Sequence, residues 1–215
     1  MRRTTPFLVV LAVLASGSIA AAAPVLPLWY DTLNGHTGSY NYWDESYNGT
    51  GNTAADGAPL TGGLGDLTDG IIATTNWFDA EAPAGNGPYV GWDGIDPTIT
   101  FYFTGGTTID SLTIHVDDSN GAGGVSTPRA IRINGTTYSL TDDPGGAPVA
   151  FTFSQLAATG PLELQLLRDD ENGHSWVFLS EVTFQSASVP EPGGLLLLGV
   201  GLLATHWIVG RVRRA

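Results

Sequence analysis

Between Pro24 and Ser188 the apolar residues come in short β-branched and aromatic runs cut by Gly, Asn, Asp and Pro, with little of the 3.6-residue spacing a helix needs. This pattern constrains the fold more than any other feature of the chain. Thr98 to Phe103 is one such run, and Ser111 to Val116 alternates so that Leu112, Ile114 and Val116 share a face. Ala130 to Ile133 and Thr136 to Leu140 flank Asn134-Gly135, a dipeptide suited to a two-residue hairpin turn because both residues tolerate positive φ. Val149 to Phe153, Leu162 to Leu167 and Trp176 to Phe184 complete the series. Strands this close together, with no helical segment between them, predict an all-β antiparallel sandwich. Asn34 to Gly65, rich in Gly, Asn, Tyr and Trp, reads as a long and partly mobile loop.

Two apolar segments flank this region. Arg2 and Arg3 precede the apolar stretch Phe7 to Leu14, and Ala20 to Ala23 supply small residues for cleavage. Residues 1–22 therefore read as a secretory signal peptide, too short in its apolar part to span a bilayer comfortably. At the other end, Val189-Pro190-Glu191-Pro192 precedes the apolar run Gly193 to Val209 and then Arg211, Arg213 and Arg214. As a helix, residues 193–209 would span roughly 25 Å, near the minimum for a bilayer. The arginines would remain on the cytoplasmic side, which puts the bulk of the chain outside.

Composition narrows the function. The 215-residue chain has no Cys, so disulfides, thiolate chemistry and Cys-based zinc sites are excluded. Its eight basic residues are all Arg, and only Arg129, Arg132 and Arg168 lie between the terminal segments, against twenty acidic side chains. Such a charge balance repels phosphate backbones, so no nucleic-acid partner is expected, whereas divalent cations and neutral partners suit it.

The order Val-Pro-Glu-Pro, apolar helix, Arg cluster over residues 189–215 resembles the PEP-CTERM sorting domain of Gram-negative bacteria. The resemblance implies an exported precursor anchored in the inner membrane. An exosortase would recognise Pro190-Glu191-Pro192 and remove the helix, leaving the protein at the cell surface or secreted, often among extracellular polysaccharide. A plain single-span anchor would share the apolar helix and the basic end.

A second resemblance covers roughly residues 60–185. Leu67-Thr68-Asp69-Gly70, Asn76-Trp77 and Tyr89-Val90-Gly91-Trp92 are similar to the opening of a discoidin, or coagulation factor V/VIII C-type, domain. Ile109 to Val116 with Gly124 to Arg129 matches its middle, and Trp176 to Val182 its closing strand. The likeness implies a galactose-binding-like jelly roll and a structural calcium ion. The carboxylates of Asp69 and Glu181 would bind it, with carbonyls at Asp66, Ile71 and Ser180 completing a calcium-sized oxygen shell. Asp69 could equally build a plain turn, with Glu181 on an exposed strand. Two further acidic groups, Asp117-Asp118 with Asn120 and Asp169 to Asn172, read as solvated loop tips more readily than as cation sites.

A sugar site needs an aromatic platform and a few directional polar groups. Trp77 and Trp176 match structural parts of the resembled family and are expected in the core. Trp43, then Tyr42, are the leading ligand candidates, because two adjacent aromatics cannot both point inward. Arg129 is a third candidate, with an ion pair as its alternative role. The four His residues fall into no HxH or HExxH spacing, and no GxSxG elbow is present. The expected protein is a non-catalytic carbohydrate-binding or adhesive module; the alternatives are a matrix component without a defined ligand and a small exopolysaccharide hydrolase.

Overall fold

Twelve strands build two antiparallel sheets in a computed structural model, which describes residues 22–82 and 85–187. In chain order they are β1 (Pro24–Val25), β2 (Trp29–Leu33), β3 (Pro59–Gly63), β4 (Val90–Asp93), β5 (Thr98–Tyr102), β6 (Thr108–Val116), β7 (Ala130–Ile133), β8 (Thr136–Ser139), β9 (Val149–Phe153), β10 (Ala158–Thr159), β11 (Leu162–Leu167) and β12 (Trp176–Ser186). A one-turn α-helix, α1 (Trp77–Ala80), lies between β3 and β4, after a 3-10 turn at Asp66–Thr68. One sheet runs β1-β12-β6-β10, with β4 also on β12 and β9 also on β6; the other runs β3-β2-β5-β11-β7-β8. Ala23–Ala187 forms one compact unit. The expected signal peptide, the Val189–Pro192 motif and the span 193–209 lie outside the described residues.

The strands follow the alternation in the sequence. In β11, Leu162, Leu164 and Leu166 are buried while Glu163 is exposed. In β6 the alternation skips once, so that Ser111 and Leu112 are both buried, near the point where its pairing with β12 shifts register. A skipped step of this kind is what a bulge produces. Between the sheets, Tyr30, Trp92, Ile99, Phe101, Leu112, Ile114, Ile131, Leu164 and Leu179 are almost wholly buried. Asn134 and Gly135 both take positive φ between β7 and β8, as the hairpin turn requires.

The segment read as a loop is more ordered than its composition suggests. It contains β3, which pairs with β2 although Leu60 is its only large apolar residue. Two buried polar side chains tie the rest down. Asn34 donates to the carbonyls of Thr53 and Ala55, both at 3.1 Å, and accepts from the Gly35 and Asp44 N–H groups at 2.9 and 2.8 Å. Asp44 accepts from the Tyr30 hydroxyl and from the Asp66 N–H at 2.8 Å. Side-chain bonds of this kind replace a strand ladder, and hydrophobic periodicity does not report them.

Burial, reinforced by the Asp66 charge, pushes the Asp44 carboxyl up to about 7 against the bonds that hold it down. The unfolded chain has the ordinary carboxylate value of about 4. A raised folded-state value contributes stability in full below that unfolded value and loses it as pH rises through the folded one. The thermal midpoint should therefore fall between about pH 4 and about pH 8. Asp44→Asn keeps an oxygen for the Asp66 N–H but cannot ionise, so the slope should flatten. An equal slope in both proteins would contradict this role for Asp44.

Candidate functional site: an aromatic cleft on the outer face of β12

β12 is buried on both faces. Val177, Leu179, Val182 and Phe184 belong to the core between the sheets. Their spacing stretches by one residue where the pairing with β6 shifts between Leu179 and Glu181. Phe178 belongs to a second cluster with Ala73, Tyr89 and Val125, against which Tyr42, Trp77, Ala80 and Trp176 pack half-buried. The loops before β4 thus cover the back of the sheet with aromatic rings.

Phe178 is the hub. Its ring centroid lies 5.0 Å from that of Tyr42, 5.5 Å from Trp176, 5.8 Å from Trp77 and 5.9 Å from Tyr89. Trp77 and Trp176 stack on it at 16° and 21°, whereas Tyr42 and Tyr89 meet it edge-on. Pairs in such geometries contribute about 0.5–1.5 kcal/mol each beyond the area they bury. β4 can lie beside this ring because Gly91, the partner of Phe178, has no side chain: a Cβ there would come within 2.6 Å of the ring.

The outer edges of these rings form a cleft. A cavity of about 450 Å³ is walled by Tyr40, Asn41, Tyr42, Trp77, Phe78 and Glu81, among others. A narrower one of about 120 Å³ shares Tyr40, Tyr42 and Trp77 and reaches Trp176. Tyr40 stacks on Tyr42 at 5.6 Å and 15° and remains 57% exposed. The Glu81 carboxylate accepts the Gly87 and Tyr89 N–H groups, both at 2.8 Å. Burial raises its pKa against these two bonds.

The residues singled out from sequence fall in different places. Tyr42 walls the cleft. Trp43 does not line it; its indole N–H is buried without a partner among the described residues. Arg129 is exposed and does not line the cleft; it lies 3.5 Å from Asp170 and donates to the Arg168 carbonyl at 3.0 Å. Trp77 and Trp176, expected in the core, pack one face on Phe178 and leave an edge in the cleft. Tyr40, Phe78 and Glu81 were not anticipated. The Tyr40-x-Tyr42 alternation was the available signal, since extended residues two apart project to one side. Asp117 and Asp118 are not solvated loop tips: both are fully buried, Asp117 accepting from the Ser119 hydroxyl at 2.6 Å and Asp118 from the Asn120 N–H at 3.1 Å. Asp169 accepts from Asn172 at 2.9 Å and lies 3.1 Å from the His174 ring.

The Asp69 turn meets the middle of β12. Glu181, 3% exposed, accepts the Gly70 N–H at 3.0 Å, and Asp69 accepts the Ile71 N–H at 2.8 Å. Burial, with the Asp69 charge beside it, pushes Glu181 up to about 7. Ser180, at the bulge, donates to the His115 carbonyl at 3.2 Å and accepts from Ala73 at 3.3 Å. The Asp66 carboxylate turns away, towards the Glu45 N–H and the Ser46 hydroxyl. Among the described residues no three His, Asp or Glu side chains converge on one point. The carboxylates of Asp69 and Glu181 supply oxygen donors only, a chemistry that suits calcium and not a soft transition metal.

Residues 188–214 match the PEP-CTERM protein-sorting motif, a motif of proteins exported by Gram-negative bacteria and processed by an exosortase. No curated protein matches the chain. Among solved structures it is similar to a truncated AlyQ with CBM32 and alginate lyase domains, at 13% identity and a TM-score of 0.41 over 79% of this chain. It spans 34% of that protein's length. It is also similar to the CBM32 of AlyQ in complex with 4,5-unsaturated mannuronic acid, at 14% identity and a TM-score of 0.36, covering 78% of this chain and 95% of that one. A third likeness is to CBM32-3 from a family 31 glycoside hydrolase of Clostridium perfringens, at 10% identity and a TM-score of 0.29, covering 56% and 91%. At such identities and scores none of these likenesses carries a function across.

The ring hub depends on close backbone approach at Gly123 as well. Its φ is +65°, and a Cβ would lie 2.6 Å from the Trp77 ring. Gly123→Val should cost roughly 1–3 kcal/mol and weaken the near-ultraviolet dichroism of the ring cluster, leaving the far-ultraviolet β signal in place. An unaltered near-ultraviolet spectrum would mean that Trp77 is not seated against this loop.

Proposed function

We propose that the chain is an exported, non-catalytic carbohydrate-binding module and that the Tyr40–Tyr42–Trp77 cleft is its ligand site. One observation carries this reading: partly exposed aromatic rings beside fixed polar groups in a cavity of about 450 Å³. A sugar ring offers C–H faces to stack on aromatic rings and hydroxyls to bond at its edge, and ligand sites have this size and mixture. The C-terminal sorting motif supports export and exosortase processing, and with them a place at the cell surface or in the extracellular matrix. Glycoside hydrolysis uses two carboxylates across the bond to be cut. Glu81 is the only carboxylate among the described residues lining the cavity, and backbone N–H groups engage both its oxygens.

Asp69 and Glu181 would hold a structural calcium ion, with carbonyls of Asp66, Ile71 and Ser180 as further ligands. The ion would fasten the turn after β3 to the last strand. A long-range clasp of this sort offsets loop-closure entropy in a chain without disulfides.

Glycan-array binding by the mature protein tests the module reading. Tyr40→Ala should weaken binding about tenfold or more, since stacking anchors dominate such interfaces, and Tyr40 is exposed enough that the fold should survive. Self-association without binding to any glycan would point instead to a structural matrix component. For the clasp, chelator should lower the thermal midpoint of the wild type and leave Asp69→Ala unmoved. An identical midpoint with and without chelator would rule the ion out.

A further inference from the structure

We infer that the cleft selects neutral glycans and discriminates against uronic acids. This rests on the reading of the cleft as a sugar site and narrows its ligand class. Recognising a carboxylate in a protein site calls for a cation or a set of converging N–H donors. Among the described residues lining the cleft there is no cation, and the side-chain N–H donors on its surface are those of Asn41 alone. Among the described residues lining it, Glu81 alone is charged, and its charge is negative. Pro83 and Ala84, between Ala82 and Gly85 in sequence, carry no charge.

The arginines that could have served are committed elsewhere. Arg168 is bonded to Asp96 at 3.0 Å, Arg129 is paired with Asp170, and Arg132 donates to Gln165 at 2.8 Å. His174 abuts Gly121, on the loop that carries Gly123 into the narrower cavity, and its Nδ1 faces Asp169. The backbone donors nearest the Glu81 carboxylate, those of Gly87 and Tyr89, already point at that carboxylate.

What the cleft offers is a set of neutral polar groups around one buried carboxylate. Beside Glu81, which is 3% exposed and bonded at both oxygens, the Tyr40, Tyr42 and Ser39 hydroxyls and the Asn41 amide can both accept and donate. A sugar hydroxyl can donate to each of these. A uronate carboxylate can only accept, so in the same place it would meet Glu81 as a like charge in a partly desolvated cavity. The excess of acidic over basic residues in the domain adds a field of the same sign, which slows approach of any polyanion at low salt.

The test compares sugars that differ only in charge. The mature protein is titrated with gluco-, galacto- and manno-configured neutral oligosaccharides, with the corresponding oligouronates, and with the methyl esters of those oligouronates. Within the configuration that binds, the neutral sugar and the ester should bind about tenfold or more tightly than the free acid at low salt. The gap should narrow as salt is raised beyond about 0.5 M. Asn41→Arg, an exposed substitution on the rim, should restore binding of the acid. Free acids that bind as tightly as their esters at low salt would overturn the selectivity while leaving the sugar site intact. If no sugar of any charge binds, the sugar-site reading itself fails, and the selectivity with it.

Discussion

Everything on the outer face of this sandwich depends on a single strand being wanted on both sides. Val177, Leu179, Val182 and Phe184 of β12 close the core between the sheets, so β12 cannot rotate to hide Phe178 there. Phe178 is nevertheless only 1% exposed, because Tyr42, Trp77, Tyr89 and Trp176 are drawn over it from three separate segments. The bulge after Leu179 keeps both requirements compatible: it lets Val182 return to the core while Ser180 and Glu181 remain with the loops. Phe178 faces outward by ordinary alternation, and the irregularity after it brings Glu181 to the Gly70 N–H.

The long loop before β3 is held in a different currency. Its fixed points are polar: Asn34, bonded through its side chain to Asn52, Thr53, Ala55, Gly35 and Asp44, and Asp44 between Tyr30 and Asp66. Buried polar groups satisfied this fully specify one arrangement, whereas a greasy loop could slide. That rigidity matters because Tyr40 and Tyr42 sit on this loop. An aromatic wall held in advance loses little conformational freedom when something docks on it.

Much of the architecture was legible in the sequence, because alternation and turn dipeptides report local geometry. The seven runs from Thr98 to Phe184 all became strands, and Asn134-Gly135 became their hairpin turn. What escaped notice lacked that signal. β2 carries Asp31 and Thr32 within a five-residue run, β3 has one large apolar residue, and β1 and β10 are two residues each. The candidate site was half legible. Tyr42 stood out by its setting, but whether it or Trp43 faces outward depends on the Asn34 and Asp44 bonds, which join residues far apart in sequence. Asp117 and Asp118 misled for a similar reason: a polar Gly-rich neighbourhood suggests water, yet packing against Tyr89 and Thr127 encloses them.

The sheet opposite the cleft ends in β3 on one side and β8 on the other. β3 opens with Pro59, which has no N–H to offer, and closes with two glycines; β8 is four residues long. Short, proline-marked borders make poor templates for a neighbour's backbone. Along these two borders, contacts with a neighbouring molecule are therefore left to side chains and not to the backbone.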